Sequence, residues 1–327
     1  MRITTVISGM AVALMGSTGA LAEKWDMPMA YSATNYHSEN GARFATCVST
    51  RSSGKLKIVT HPGGSLFKGG QIKRAVQTGQ APIGERLLSA HANENALFGV
   101  DSLPFVATSF EDSEKLWNAA LETLTAALEA QDLVYIYAVP WPPQGLYVKN
   151  KITAVADLKR VKFRAYNAAT ARIAELAGMV PVQIEAAELT QALATGVADA
   201  FISSATTGYD RKVWEHVSHF YNAQAWLPRN TVFANKTAFE QLDSETRAAV
   251  RDCGQKAAAE GLQTAMKLTD FYLKGLRDGG LRVREPSQAL SDEFKAFGQT
   301  MTTEWLKSVG ADGKAILQRF HRQSSGS

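Results

Sequence analysis

Arg164 stands where a short strand leaves a basic turn, in the run Asp157-Leu-Lys-Arg-Val-Lys-Phe-Arg-Ala-Tyr-Asn167. A guanidinium is a planar fork that meets a carboxylate through two parallel hydrogen bonds, and it stays charged at any cellular pH. That chemistry suits capture of a small organic acid. A surface ion pair with a neighbouring acid is the other use of such an arginine, and the segment alone leaves both open.

Further groups able to shape a site accompany it. Trp141-Pro-Pro-Gln-Gly145 sets two prolines between an indole and an amide, which stiffens the crossover and fixes Trp141 and Gln144. Tyr166 lies in the arginine segment itself. Asp199-Ala-Phe-Ile-Ser-Ser204 reads as a strand delivering Ser203 and Ser204 to a sheet's carboxyl edge, where open α/β sheets bind ligands, and the stretch runs on to Tyr209. Asn35, Tyr36 and His37 follow a first strand at 27–31, and Glu85 and Arg86 follow Ala81-Pro-Ile-Gly84, so both loops are expected to line a cleft. Glu85 has an alternative as the partner of Arg86 or Lys68. Trp226 and Asn230 complete the set. An aromatic wall suits a flat or partly apolar carboxylate, while Tyr135, Tyr137 and Tyr147 read as core.

Catalytic chemistry finds little to work with. There is no G-x-S-x-G, H-E-x-x-H or G-x-G-x-x-G. Gly64-Ser-Leu-Phe-Lys-Gly69 resembles half a phosphate loop, yet Gly70-Gln71 stands where the lysine and hydroxyl belong. His216 and His219 could share a metal with Asp210, but they read as two surface histidines. The expectation is a binding protein with no cofactor.

The elements that must position these groups alternate. Helix 38–50, strand 55–60 and a helix carrying Ile72, Ala75 and Val76 come first; strands follow at 134–139, 146–149, 161–166, 200–203 and 231–235. Helices at 168–177 and 187–195 end at Gly178 and Gly196. The pattern predicts an α/β fold with mostly parallel sheets. From the cap at Asp243-Ser244, apolar residues recur at helical intervals as far as Gly279-Gly280, which predicts one long spine helix.

Arg2, an apolar run from Val6 to Leu14 and Ala20-Leu21-Ala22 form a secretory leader over residues 1–22, and no later stretch is long enough to span a bilayer. The mature chain is expected to be exported to a periplasm without inserting in the membrane. A net charge of +4 in 327 residues, with no dense basic run, argues against nucleic acid. In an oxidising compartment Cys47 and Cys253 are free to pair, or to remain two buried thiols.

Taken with Leu56-Lys-Ile58, Ala75-Val-Gln-Thr-Gly79, Leu103-Pro-Phe105, Pro181-Val182 and Ala192-Leu-Ala-Thr-Gly-Val-Ala-Asp199, the arginine segment resembles the solute-binding subunit of tripartite ATP-independent periplasmic (TRAP) transporters. The resemblance covers nearly the whole mature chain. It implies a two-lobe periplasmic binding protein fold, with residues 23–142 plus about 229–272 in one lobe and 143–228 plus about 273–327 in the other. It also implies that Arg164 clamps a carboxylate, that the lobes close by hinge bending, and that the closed form docks on membrane permease subunits. A receptor feeding a sensor kinase is the alternative. The sialic-acid-binding branch has a second arginine on the strand matching 144–149, and none is present here, which argues against sialic acid. Small hydroxyls after Asp199 replace the family's usual amide.

Overall fold

The computed structural model describes residues 22–325, so the expected leader lies outside it apart from Ala22. The chain opens with β1 (Glu23–Pro28), α1 (Tyr36–Arg51) and β2 (Leu56–His61), β1 and β2 being parallel. Asn35 caps α1 by accepting a hydrogen bond from the His37 amide, one of the donors a helix start leaves unpaired. Then come α2 (Ile72–Gln77), β3 (Ile83–Leu87), α3 (Phe110–Glu129) and β4 (Leu133–Pro140). The proline-stiffened segment carries the chain into the second lobe.

There it forms β5 (Gln144–Val148), β6 (Lys162–Ala165), α4 (Ala168–Leu176), β7 (Val180–Gln183), α5 (Leu189–Ala194), β8 (Ala200–Ser204), α6 (Ala205–Asp210) and β9 (His219–Tyr221). It returns through β10 (Arg229–Asn235) and α7 (Lys236–Gln241), and closes with α8 (Ser244–Asp278), β11 (Arg282–Arg284), α9 (Gln288–Val309) and α10 (Ala311–Ser325).

Strand direction differs from the expectation of mostly parallel sheets. In the first lobe β10 lies between β3 and β4 and is antiparallel to both, and a parallel bridge from Met29 to Glu85 joins that sheet to β1. The second sheet runs β11-β9-β5-β8-β6-β7, with β5 antiparallel to β8 and β9. The reversed strands are the two through which the chain enters a lobe from the other, β5 and β10. Direction there is set by the crossing, which no local pattern records.

α8 is the predicted spine. Its 35 residues rise about 50 Å at ~1.5 Å per residue, enough to run past both lobes. It packs on α1 and β4 near its start and on α6 and β11 near its end. Gly261 permits the close approach to β4, since a Cβ there would lie 2.5 Å from Val139 Cγ2. Cys47 of α1 is bonded to Cys253 of α8, tying segments 206 residues apart. α10 packs against α3 of the first lobe, with Ile316, Leu317 and Phe320 in one cluster with Trp117, because its apolar face finds its partner there.

Candidate ligand-binding site

β6 holds Arg164 at mid-strand, paired with Val182 of β7 and Phe201 of β8. Alternation turns Phe163 and Ala165 to the other face of the sheet and leaves the guanidinium in a pocket between the lobes. Arg164 is 3% exposed, its Nε donates to the Ile184 carbonyl oxygen at 2.8 Å, and its guanidinium lies 5.0 Å from the centre of the Tyr166 ring. Burial lowers its pKa to about 10, so it remains a cation at neutral pH.

Four cationic side chains are buried among the described residues: Lys73, Arg86, Arg164 and Arg229. Lys73 pairs with Glu94, Arg86 with Glu185 and Arg229 with Glu114. Arg164 has no carboxylate partner among the described residues. A buried charge without a counter-ion is penalised by several kcal/mol, a penalty that an anion entering the pocket would relieve.

Tyr31, Trp141 and Tyr166 give the pocket an aromatic wall, with Leu87, Ala186 and Pro228 as apolar filling. Gln144, Ser203, Ser204, Thr207, Arg86 and Glu185 supply polar groups. The aromatic positions are fixed from behind. Trp141 Nε1 donates to Asn230 Oδ1 at 2.8 Å, Trp226 Nε1 donates to the Tyr166 hydroxyl at 3.3 Å, and that hydroxyl donates to Gln144 Oε1 at 3.2 Å. The lobes meet around this pocket. Asn35 reaches Asp210 at 2.8 Å and Asn167 reaches Ser89 at 3.0 Å across the cleft.

Of the residues singled out from sequence, Arg164, Trp141, Gln144, Tyr166, Ser203 and Ser204 line this pocket. Asn230, Glu85 and Trp226 stand one layer behind it. Three do not reach it at all. Asn35 caps α1, Tyr36 is buried with its hydroxyl on the Pro140 carbonyl, and Tyr209 packs against Phe271 and Tyr272 of α8. Tyr31, Arg86, Glu185 and Thr207 also line the pocket; Arg86 lies in the loop expected to line the cleft and Thr207 in the stretch from Ser203 to Tyr209, while no local signal marks Tyr31 or Glu185. Adjacent strand residues on β3 point to opposite faces, so of the pair Glu85 and Arg86 only Arg86 faces the pocket.

Glu85 is a buried acid behind the aromatic wall. Its Oε1 accepts from Asn230 Nδ2 at 2.5 Å and lies 3.7 Å from His37 Nδ1, while Oε2 is buried without a partner. Burial raises its pKa from 4.5 to about 7 and holds that of His37 well below its usual value. The unfolded chain therefore releases this proton at lower pH than the folded one. The stability linked to Glu85 is complete below pH 4.5 and is lost as pH rises through 7, a loss on the order of 3 kcal/mol. Glu85→Gln removes the ionisation. Denaturant unfolding at pH 4.5 and pH 8 is expected to show the variant gaining about 3 kcal/mol on the wild type between the two, and a pH-independent difference would contradict the burial argument.

Comparison with known proteins identifies the family. The family model described as bacterial extracellular solute-binding protein, family 7, matches residues 29–308. A TRAP solute-binding protein from an unidentified marine-metagenome microbe, specific for pyroglutamate and crystallised with co-purified pyroglutamate, is 54% identical. That match covers 92% of this chain and 99% of the other, with a TM-score of 0.91. Two Bordetella pertussis extracytoplasmic solute receptors that bind pyroglutamic acid, DctP6 and DctP7, are each 42% identical. DctP6 covers 91% of this chain and 99% of its own at a TM-score of 0.90, and DctP7 92% and 100% at 0.91. With the family pattern matched from just past β1 almost to the end of α9, the chain belongs to family 7 of the bacterial extracellular solute-binding proteins, the solute receptors of TRAP transporters.

Proposed function

We propose that this protein is a periplasmic TRAP receptor that captures pyroglutamate or a closely similar small cyclic monocarboxylate, and binds it without chemical conversion. The single observation that carries the reading is Arg164, the buried cation left without a carboxylate among the described residues, in a pocket walled by Trp141, Tyr166 and Tyr31. The ligand carboxylate takes the two terminal nitrogens of Arg164. A nearly flat lactam ring lies against the aromatic faces, and its polar edge is served by Gln144, Ser203 and Ser204. The three pyroglutamate-binding relatives support this choice of acid.

The lobes divide where the chain crosses, near 142 and 228, and ligand contacts with both favour the closed state. The closed form then docks on the permease subunits of the transporter.

A thermal-shift panel tests the substrate class. Because the ligand stabilises only the folded form, saturation at about 100 times Kd adds about 2.7 kcal/mol. L-pyroglutamate is expected to raise the melting temperature, whereas L-proline amide and glucose leave it unchanged. A response confined to sugars or amines would overturn the reading.

A further inference from the structure

The pocket holds a second buried arginine, and what satisfies it bears on which acids can enter. Arg86 comes from β3 in the first lobe, and its Nη2 donates to both carboxylate oxygens of Glu185, at 2.9 and 3.1 Å. Glu185 lies just after β7, in the second lobe, so the pair spans the cleft. It supplies the sole carboxylate among the lining residues. Backbone covers the pair on one side. A Cβ at Gly69 would lie 2.6 Å from Arg86 Nη1 and 2.9 Å from Glu185 Oε2, and one at Gly70 would lie 3.2 Å from Glu185 Oε1. The Arg86 side chain is 4% exposed and that of Glu185 33%, so the pair sits where the pocket opens toward solvent.

We propose that Glu185 is a specificity-determining residue that occupies on Arg86 the place a second ligand carboxylate would take, limiting the site to acids with one carboxylate. The inference rests on the reading of Arg164 as the monocarboxylate clamp. Two guanidiniums and one carboxylate leave one positive charge in the pocket, and a monocarboxylate neutralises it. A dicarboxylate has two options, both unfavourable in a desolvated space. It displaces Glu185 from Arg86 and strands that acid beside its own charge, or it leaves its second carboxylate facing Glu185. Glu185 and Arg86 also act on the Arg164 charge with opposite signs, which places all three in one local field. Rejection by a built-in like charge is specificity gained against the wrong ligand, not toward the right one.

The test is calorimetric titration of wild type and Glu185→Gln with L-pyroglutamate and with glutarate, a dicarboxylate of the same carbon number. Glu185→Asp serves as the charge-retaining control, and thermal melts verify folding. The wild type is expected to prefer pyroglutamate, Glu185→Gln to lose at least tenfold of that preference, and Glu185→Asp to keep it. If Glu185 only latches the lobes together, both affinities fall in parallel and the ratio stays fixed, which overturns the inference while leaving the monocarboxylate reading intact. Equal binding of the two acids by the wild type also overturns it. Failure of the wild type to bind either acid overturns the monocarboxylate reading, and the inference falls with it.

Discussion

Arg164→Ala is expected to weaken pyroglutamate binding at least about a hundredfold, which is about 2.7 kcal/mol of binding free energy. The ligand-free variant should melt within a few degrees of the wild type. Truncating one member of a buried, hydrogen-bonded charge pair removes about 2–5 kcal/mol of affinity, because the remaining charge is left desolvated. Here that charge belongs to the ligand. In the free protein the balance differs, since alanine discards a buried cation that has no carboxylate partner among the described residues. It forfeits only the bond to Ile184 and the contact with the Tyr166 ring. Affinity and fold stability should therefore separate, and calorimetry beside thermal melting reads both. A variant that binds normally would remove the clamp, and one that fails to fold would make Arg164 a structural residue.

Gly145→Ala is expected to have the largest effect on stability of any single-methyl change near the site. Gly145 lies in β5 opposite Ser203, next to Gln144. A Cβ there would come within 2.4 Å of the Phe220 ring and 2.5 Å of the Tyr221 carbonyl oxygen. A ring can turn away, but the carbonyl belongs to β9, where Tyr221 pairs with Leu146, so relief requires a shift of one strand against the other. Overpacking of this kind costs about 1–3 kcal/mol, and the backbone obstacle sets this case at the upper end. Denaturant midpoint should fall, and pyroglutamate affinity with it, because the shift carries Gln144 and disturbs its pairing with Ser204. An unchanged midpoint would show that β5 and β9 separate at little cost.

These two positions also show what the sequence made legible. Arg164, Trp141 and Gln144 stood out because each is marked locally, by a basic turn or by flanking prolines. The spine α8 was equally plain, since capping by Asp243 and apolar spacing persist over its 35 residues. Glu185 carried no such mark: it is one acid in a turn, and only the closed cleft brings it to Arg86. Strand facing was lost for a different reason. With a period of two, only one of Glu85 and Arg86 can face the pocket, and nothing in Ile83–Leu87 distinguishes its faces because all five residues are buried. Trp226 and Asn230 show a third limit. Sequence brings them near the pocket, but only packing decides whether a ring forms the wall or supports it.

The central claim is that the carboxylate of the ligand is held by Arg164, and a double comparison tests it most directly. L-pyroglutamate and its carboxamide, which differ in that one charge, are titrated into wild type and Arg164→Ala by calorimetry. The expected result is a preference of at least about a hundredfold for the acid in the wild type, and weak, nearly equal binding of acid and amide in the variant. Wild type that binds the amide as tightly as the acid, or a preference for the acid that survives loss of Arg164, would contradict the claim.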